Sequence, residues 1–196
     1  MLGSDGLNSK EKILTQAKTL FAEKGFSGVS MRNLANKVNM SVASIYHHFP
    51  DKNSLYLETV QFAFQDKAVV FSAIWQGKSP AEQKLALFVN ALIQELAKDR
   101  EFHCLIQREL VDANPVRMEM LAKDVFHEEF SFLLNVMKEI TPERDAHLAA
   151  ISVLSLCKHH FEMQPIRCFL PDWKPEHEEP HVIANQVMKI LLEGIL

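Results

Sequence analysis

Between Ser41 and His48 the chain reads SVASIYHH, followed by Phe49, Pro50, Asp51 and Lys52. Two hydroxyls, a phenol and two imidazoles crowd a segment of barely two helical turns. All of them exchange hydrogen bonds, and Val42 and Ala43 beside them offer apolar contact. With Ile45 and Phe49 at i, i+4 turned inward, Val42, Ala43, Ser44, Tyr46 and His47 are left largely outward. A short helix that exposes such groups matches what the edges of base pairs demand in a major groove, which admits one α-helix.

The elements around it must hold that helix out. Ser30 caps a short helix before it, whose Met31, Leu34, Ala35 and Val38 form a buried face. Asn39 follows, a residue tolerant of the left-handed backbone that a tight turn needs, and Ser41 caps the exposed helix. Pro50-Asp51 ends it and caps the next, with Lys52 in the first turn. This is a helix-turn-helix pattern. The helix starts at Ser30 and at Asp51-Lys52 can turn backbone N–H groups toward phosphates, which fixes register without reading sequence. The candidate DNA-contacting set is Ser30, Met31, Arg32, Ser41, Val42, Ala43, Ser44, Tyr46, His47 and Lys52.

Charge is distributed in keeping with this. Residues 1–52 carry seven Lys/Arg against four Asp/Glu, a balance of +3, while the other 14 basic and 21 acidic residues give −7. A basic head on an acidic body can touch phosphates locally and stay soluble elsewhere. The first ten residues are polar and read as no signal peptide. No apolar run reaches the roughly 18 residues of a membrane span. Three scattered cysteines, Cys104, Cys157 and Cys168, suit a reducing compartment better than a disulfide framework. A cytoplasmic, soluble protein is expected.

From Gly25 to Leu55 the sequence resembles the DNA-binding head of the TetR (tetracycline-repressor) family of bacterial transcription regulators. The resemblance rests on Gly25-Phe26, Ser30, Leu34-Ala35, Ser41, Ile45-Tyr46, His48-Phe49, Pro50, Lys52 and Leu55. Asn39 stands where that family usually has Gly, Val38 and Ala43 replace a common Ala and Gly, and Val42 is often polar or basic in relatives. The resemblance implies an operator-binding homodimer, most often a repressor released by a small molecule. It also implies two domains: a helix-turn-helix head over 1–51 and a ligand-binding and dimerisation domain over 52–196.

The remainder reads as helix throughout, with no strand pattern and about nine helices in all. The first opens at Asn8 with Glu11 as a capping box, and Gly25 ends it in a left-handed cap. The fourth runs from Lys52 to about Trp75. Ser79 with Glu82 reads as a second capping box, opening a helix to about Lys98. Further helices are expected near 101–112, 116–140 and 142–163, a loop over Pro165 to Pro180, and a last helix over about 181–192. The 142–163 helix is apolar or small nearly all round, so it must be covered on more than one side. It could be the central helix of a monomer, or pair with its two-fold copy and the last helix as a four-helix bundle. The candidate dimer residues are Val153, Leu156, His160, Ile183, Val187, Ile190 and Leu191.

Phenylalanines concentrate in the body, where most are expected to be core. A few beside polar groups are candidates for a ligand cavity: Phe62, Gln65, Phe88, Gln107, Phe126, His127, Phe130 and His159. A bound molecule would then be hydrophobic and aromatic, neutral or modestly anionic. The histidines lack zinc-site spacing, and no metal or other cofactor is expected. The chain has no Gly-rich phosphate loop or nucleophile elbow, so it does not read as an enzyme. Two other readings compete with DNA binding: an all-α enzyme or small-molecule carrier using histidines as acid and base, and a helical adaptor in which the short helices merely pack.

Overall fold

The computed structural model describes residues 8–194. The stretch in which a leader would lie, residues 1–7, falls outside them. Eleven α-helices and one 3-10 turn make up the described chain, and it contains no strand. The helices are α1 Ser9–Lys24, α2 Met31–Lys37, α3 Val42–His48, α4 Lys52–Gln76, α5 Ala81–Lys98 and α6 Arg100–Asp112, then α7 Pro115–Asp124, α8 His127–Ile140, α9 Ala146–Glu162, α10 Gln164–Arg167 and α11 Pro180–Gly194. The expected fold class is met, with more helices than the nine expected.

The differences have local causes. Residues 116–140 form two helices because the chain breaks at Val125-Phe126, where both N–H groups converge on the Leu121 carbonyl at 3.1 Å. The proline-rich stretch after residue 163 folds into α10 and the 3-10 turn Pro175–Glu178. Glu178 gathers it, with the Arg167 guanidinium at 2.7 Å and the Gln164 amide and Trp173 indole donating to its carboxylate. Helix α9 starts four residues later than expected, capped by Asp145, whose carboxylate accepts from the Leu148 N–H at 3.0 Å. The capping box expected at Ser79 and Glu82 is not formed; Pro80 occupies the cap position without a side-chain hydrogen bond.

The chain gathers into two compact units, and the division does not fall at residue 52. The first takes the chain up to Asp66 together with Arg100–Phe126; the second takes Lys67–Asp99 and everything from His127 onward. In the first, α1 lays Ile13, Leu14, Ala17, Leu20 and Phe21 into a core shared with Leu34, Ile45, Phe49, Leu55 and Leu105. Each buried Leu, Ile or Phe among them contributes about 1.5–3 kcal/mol relative to exposure. Asn8 and Glu11 form the expected capping box. Gly25 has φ 69° but an extended ψ of 174°, so it ends α1 in a conformation reserved for glycine without the left-handed cap.

In the second unit α5, α8, α9 and α11 bury Leu85, Phe88, Val89, Ile93, Leu133, Met137, Ala150, Val153, Cys157, Ile183, Val187 and Leu191. Two polar groups are built into it. The Lys67 ammonium meets the Asp99 carboxylate at 2.8 Å and Glu95 at 3.8 Å. The Trp75 indole N–H donates to Glu129 at 2.8 Å. Burial pushes the Cys157 thiol up to about 12.

Candidate nucleic-acid interface

Three caps set the geometry of the head. The Ser30 hydroxyl accepts from the Asn33 N–H at 3.1 Å, and the Ser41 hydroxyl accepts from the Ser44 N–H at 3.0 Å. Asp51 accepts from the Ser54 N–H at 2.8 Å, and that hydrogen bond is the main reason its carboxyl lies below the usual range. Asn39 takes φ 55° and Met40 N–H returns to the Ala35 carbonyl at 2.9 Å, closing the turn between α2 and α3. Ile45 and Phe49 are fully buried. They fasten α3 by one side, and Ala43, Tyr46 and His47 are exposed on the other, at i, i+3 and i+4.

The other candidates are placed unevenly. Ser30, Arg32 and Ser41 are exposed, and Val42, Ser44 and Lys52 are half-buried. The Ser41 and Ser44 hydroxyls lie 2.7 Å apart, so each is already partnered by the other. Met31 is buried and points into the core of the head; its side chain is withdrawn from the surface because it anchors the start of α2. The Lys52 ammonium sits 4.3 Å from the centroid of the Phe26 ring. Burial first, and then the Arg117 charge, hold its pKa below the ordinary lysine value.

Sequence reasoning missed what lies behind Phe26. The Arg117 guanidinium stands 4.0 Å from the centroid of that ring, and its Nε donates to both oxygens of the buried Glu109 at 2.9 and 3.0 Å. Tyr56 packs edge-on against Phe21 and Phe26 at 4.9 and 5.4 Å. Burial, followed by the neighbouring Glu109, keeps its phenol protonated. The available clue was a Glu and an Arg flanking Asn114-Pro115, a helix break that folds one charge back over the other.

The candidate ligand residues are divided between the units. Phe62, Gln65, Gln107 and Phe126 belong to the first, and Phe88, His127, Phe130 and His159 to the second. Phe126 packs edge-on to Phe64 at 5.2 Å, while Gln107 lines a surface crevice of about 390 Å³ with Lys24, Cys104 and Arg108. Phe88 is core, 4.7 Å from Trp75 and 5.1 Å from Phe71. Phe130 meets the His147 ring at 5.2 Å, Gln65 and His127 are exposed, and Phe62 is half-buried. His159 lies instead on an open groove of about 610 Å³ between α9 and α11, with Ser152, Ser155, Leu156, His160 and Ile190.

Of the candidate dimer residues, Leu156, His160 and Ile190 line that groove. Val153, Ile183, Val187 and Leu191 are buried within the unit itself, because α9 and α11 use those faces to pack against each other and α5. Among the described residues no group of three or more His, Cys, Asp or Glu side chains is placed to hold a metal ion. No described helix is long and apolar enough to cross a membrane.

A short helix fastened on one side, turned out on the other and preceded by a capped helix and a tight turn defines a helix-turn-helix head on an all-helical body. Residues 13–59 match the model of the bacterial regulatory proteins of the tetR family. The same region is 44% identical, over 55 residues, to the biofilm operon icaADBC HTH-type negative transcriptional regulator IcaR of Staphylococcus aureus (strain Newman). That match spans 28% of this chain and 30% of the relative's length. Along nearly the whole chain the fold is that of the transcriptional regulator FadR from Bacillus subtilis, solved in complex with stearoyl-CoA. The TM-score is 0.78 at 17% identity, over 95% of this chain and 99% of that one. AibR, solved with isovaleryl coenzyme A and operator DNA, shares the fold with a TM-score of 0.72 at 17% identity, over 93% and 97% of the two chains.

Proposed function

We propose that this protein is a ligand-responsive transcriptional repressor that binds operator DNA as a homodimer through α2 and α3. The observation that carries the reading is the exposed strip Ala43, Tyr46 and His47 on a helix whose opposite side is wholly buried. Ser30, Arg32 and Lys52 flank it as phosphate contacts, and Ser41, Val42, Ala43 and Ser44 face base edges. Functionally the head ends near residue 51, and residues 52–196 receive the effector and the second copy. The cytoplasm, where such a regulator meets DNA, is its place of action.

The second copy docks on α9 and α11. Leu148, Ser152, Ser155 and His159 form one seam of α9, with Ile151 exposed beside it and Ile190 and Leu192 exposed on α11. The two serine hydroxyls donate back to the Leu148 and Ile151 carbonyls at 2.8 Å. Their polarity is satisfied within the helix, which lets a small-residue seam be covered by a partner helix without an orphaned hydroxyl. The effector is a small hydrophobic molecule. Since FadR and AibR each hold an acyl-CoA, acyl thioesters are the first class to try. An effector that prefers another spacing of the two recognition helices lowers operator affinity in proportion to that preference.

The test is a gel-shift series against DNA from the protein's own genomic neighbourhood. Tyr46→Ala weakens the complex strongly, and Lys52→Ala weakens all sequences alike and flattens the salt dependence. Ser44→Ala changes which duplexes are preferred. No protein-dependent shift at moderate salt, or Tyr46→Ala binding like the parent, rejects the reading.

A further inference from the structure

We propose that Arg117 is a positioning residue for DNA binding: held by Glu109, it fixes the Phe26 ring, which holds the Lys52 ammonium at the start of α4. The inference rests on the reading of α3 and Lys52 as the DNA-facing surface. Four elements of the first unit converge here: the turn after α1 brings Phe26, α4 brings Lys52 and Tyr56, α6 brings Glu109, and α7 brings Arg117.

The charges around the ring are unequal. Arg117 is neutralised by Glu109, which is 1% exposed, and lies 3.5 Å from Asp112. Among the described residues the Lys52 ammonium has the ring for a neighbour and no carboxylate in ion-pair range. Burial first, and then repulsion by Arg117, hold its pKa below the ordinary lysine value. A buried ion pair is weak evidence for stability, since well-packed apolar side chains of similar volume often serve as well or better. A core that needed only filling had no use for a second cation beside Lys52. What the pair accomplishes is directional. The planar guanidinium, held through Nε by both carboxylate oxygens, packs on the ring at 4.0 Å and, with Phe21 and Tyr56, fixes its pose. The ring then keeps a partly desolvated ammonium in place by its negative face. A phosphate arriving at the first turn of α4 supplies the anion that Lys52 lacks, and the side chain is already ordered to meet it.

The experiment uses the full-length protein and a duplex that it selects from a randomised pool. Glu109→Leu and Arg117→Met are made together, so that the core stays filled, and folding is checked by thermal melting. Binding of the double variant is expected to fall about 10-fold, with the salt slope reduced by about one. Added to Lys52→Ala, the pair of substitutions is expected to cost nothing further.

Unchanged affinity and slope overturn the proposal, as does a full additional loss in the Lys52→Ala background. If the double variant does not fold, Arg117→Lys keeps the charge without the planar guanidinium and its Nε contact to Glu109, and enters the same cycle, with loss of affinity expected and parental binding overturning the proposal. A parent protein that selects no duplex fails one stage earlier and rejects the DNA-binding reading itself, and this proposal with it.

Discussion

Asn39 turns the chain with φ 55°, a conformation that costs an ordinary L-residue roughly 1–2 kcal/mol. Asn39→Ala is therefore expected to lower the unfolding free energy by about 1 kcal/mol, and Asn39→Gly to leave it level or slightly higher, both read from urea titrations. Equal stability of the two variants would show that the turn carries no such strain. This position was legible in the sequence because its cause is local: a residue type tolerant of the left-handed region between two capping serines. Ser30, Ser41 and Asp51 were legible for the same reason, each finding its N–H partner three residues on. Met31 was legible as part of the buried face of α2, and its apolar spacing with Leu34 and Ala35 already argued against its place among the DNA contacts. Arg117 was not legible, since its partners Glu109 and Phe26 come from other elements and meet it only when the chain is folded.

At the scale of the element, Glu178 organises the stretch between α9 and α11. Burial by itself would raise its pKa, but hydrogen bonds from Arg167, Gln164 and Trp173, with the Arg167 charge, hold it below the usual glutamate value. A carboxyl depressed in the folded state adds stability above its unfolded pKa, and that contribution fades as pH falls through the folded value. Proteolytic cutting within residues 164–178 is thus expected to quicken as pH drops below about 4.5, the ordinary glutamate value, using an acid-active protease. Glu178→Gln should show fast cutting already at neutral pH. A variant as resistant as the parent at neutral pH would deny Glu178 this role. Helix periodicity found α4 to within a residue, because 25 residues of uninterrupted pattern leave little latitude. It ran α7 and α8 together because no glycine or proline marks the break at Val125-Phe126; only the folded chain shows both N–H groups turning to Leu121.

For the whole molecule, apolar spacing tells which side of a helix is covered but not by what. Val153, Ile183, Val187 and Leu191 have the spacing of an interface and lie within their own unit, whereas Leu156 and Ile190 have the same spacing and line an open groove. On the proposed docking of a second copy at this groove, Leu156→Arg or Ile190→Arg is expected to leave the fold intact and shift the protein from dimer to monomer in sedimentation, with DNA affinity falling in parallel. A variant that remains dimeric would place the partner elsewhere. The ligand set had the same difficulty: phenylalanine spacing is identical for a residue in contact with Trp75 and for one facing a cavity. The thiols, finally, are not equally vulnerable. Cys157 is fully buried and stays protonated at neutral pH, while Cys168 is exposed and Cys104 half-covered. An oxidant attacks the thiolate at an accessible sulfur. Peroxide should therefore mark the stretch around Cys168 first and leave the packing of α9 chemically untouched.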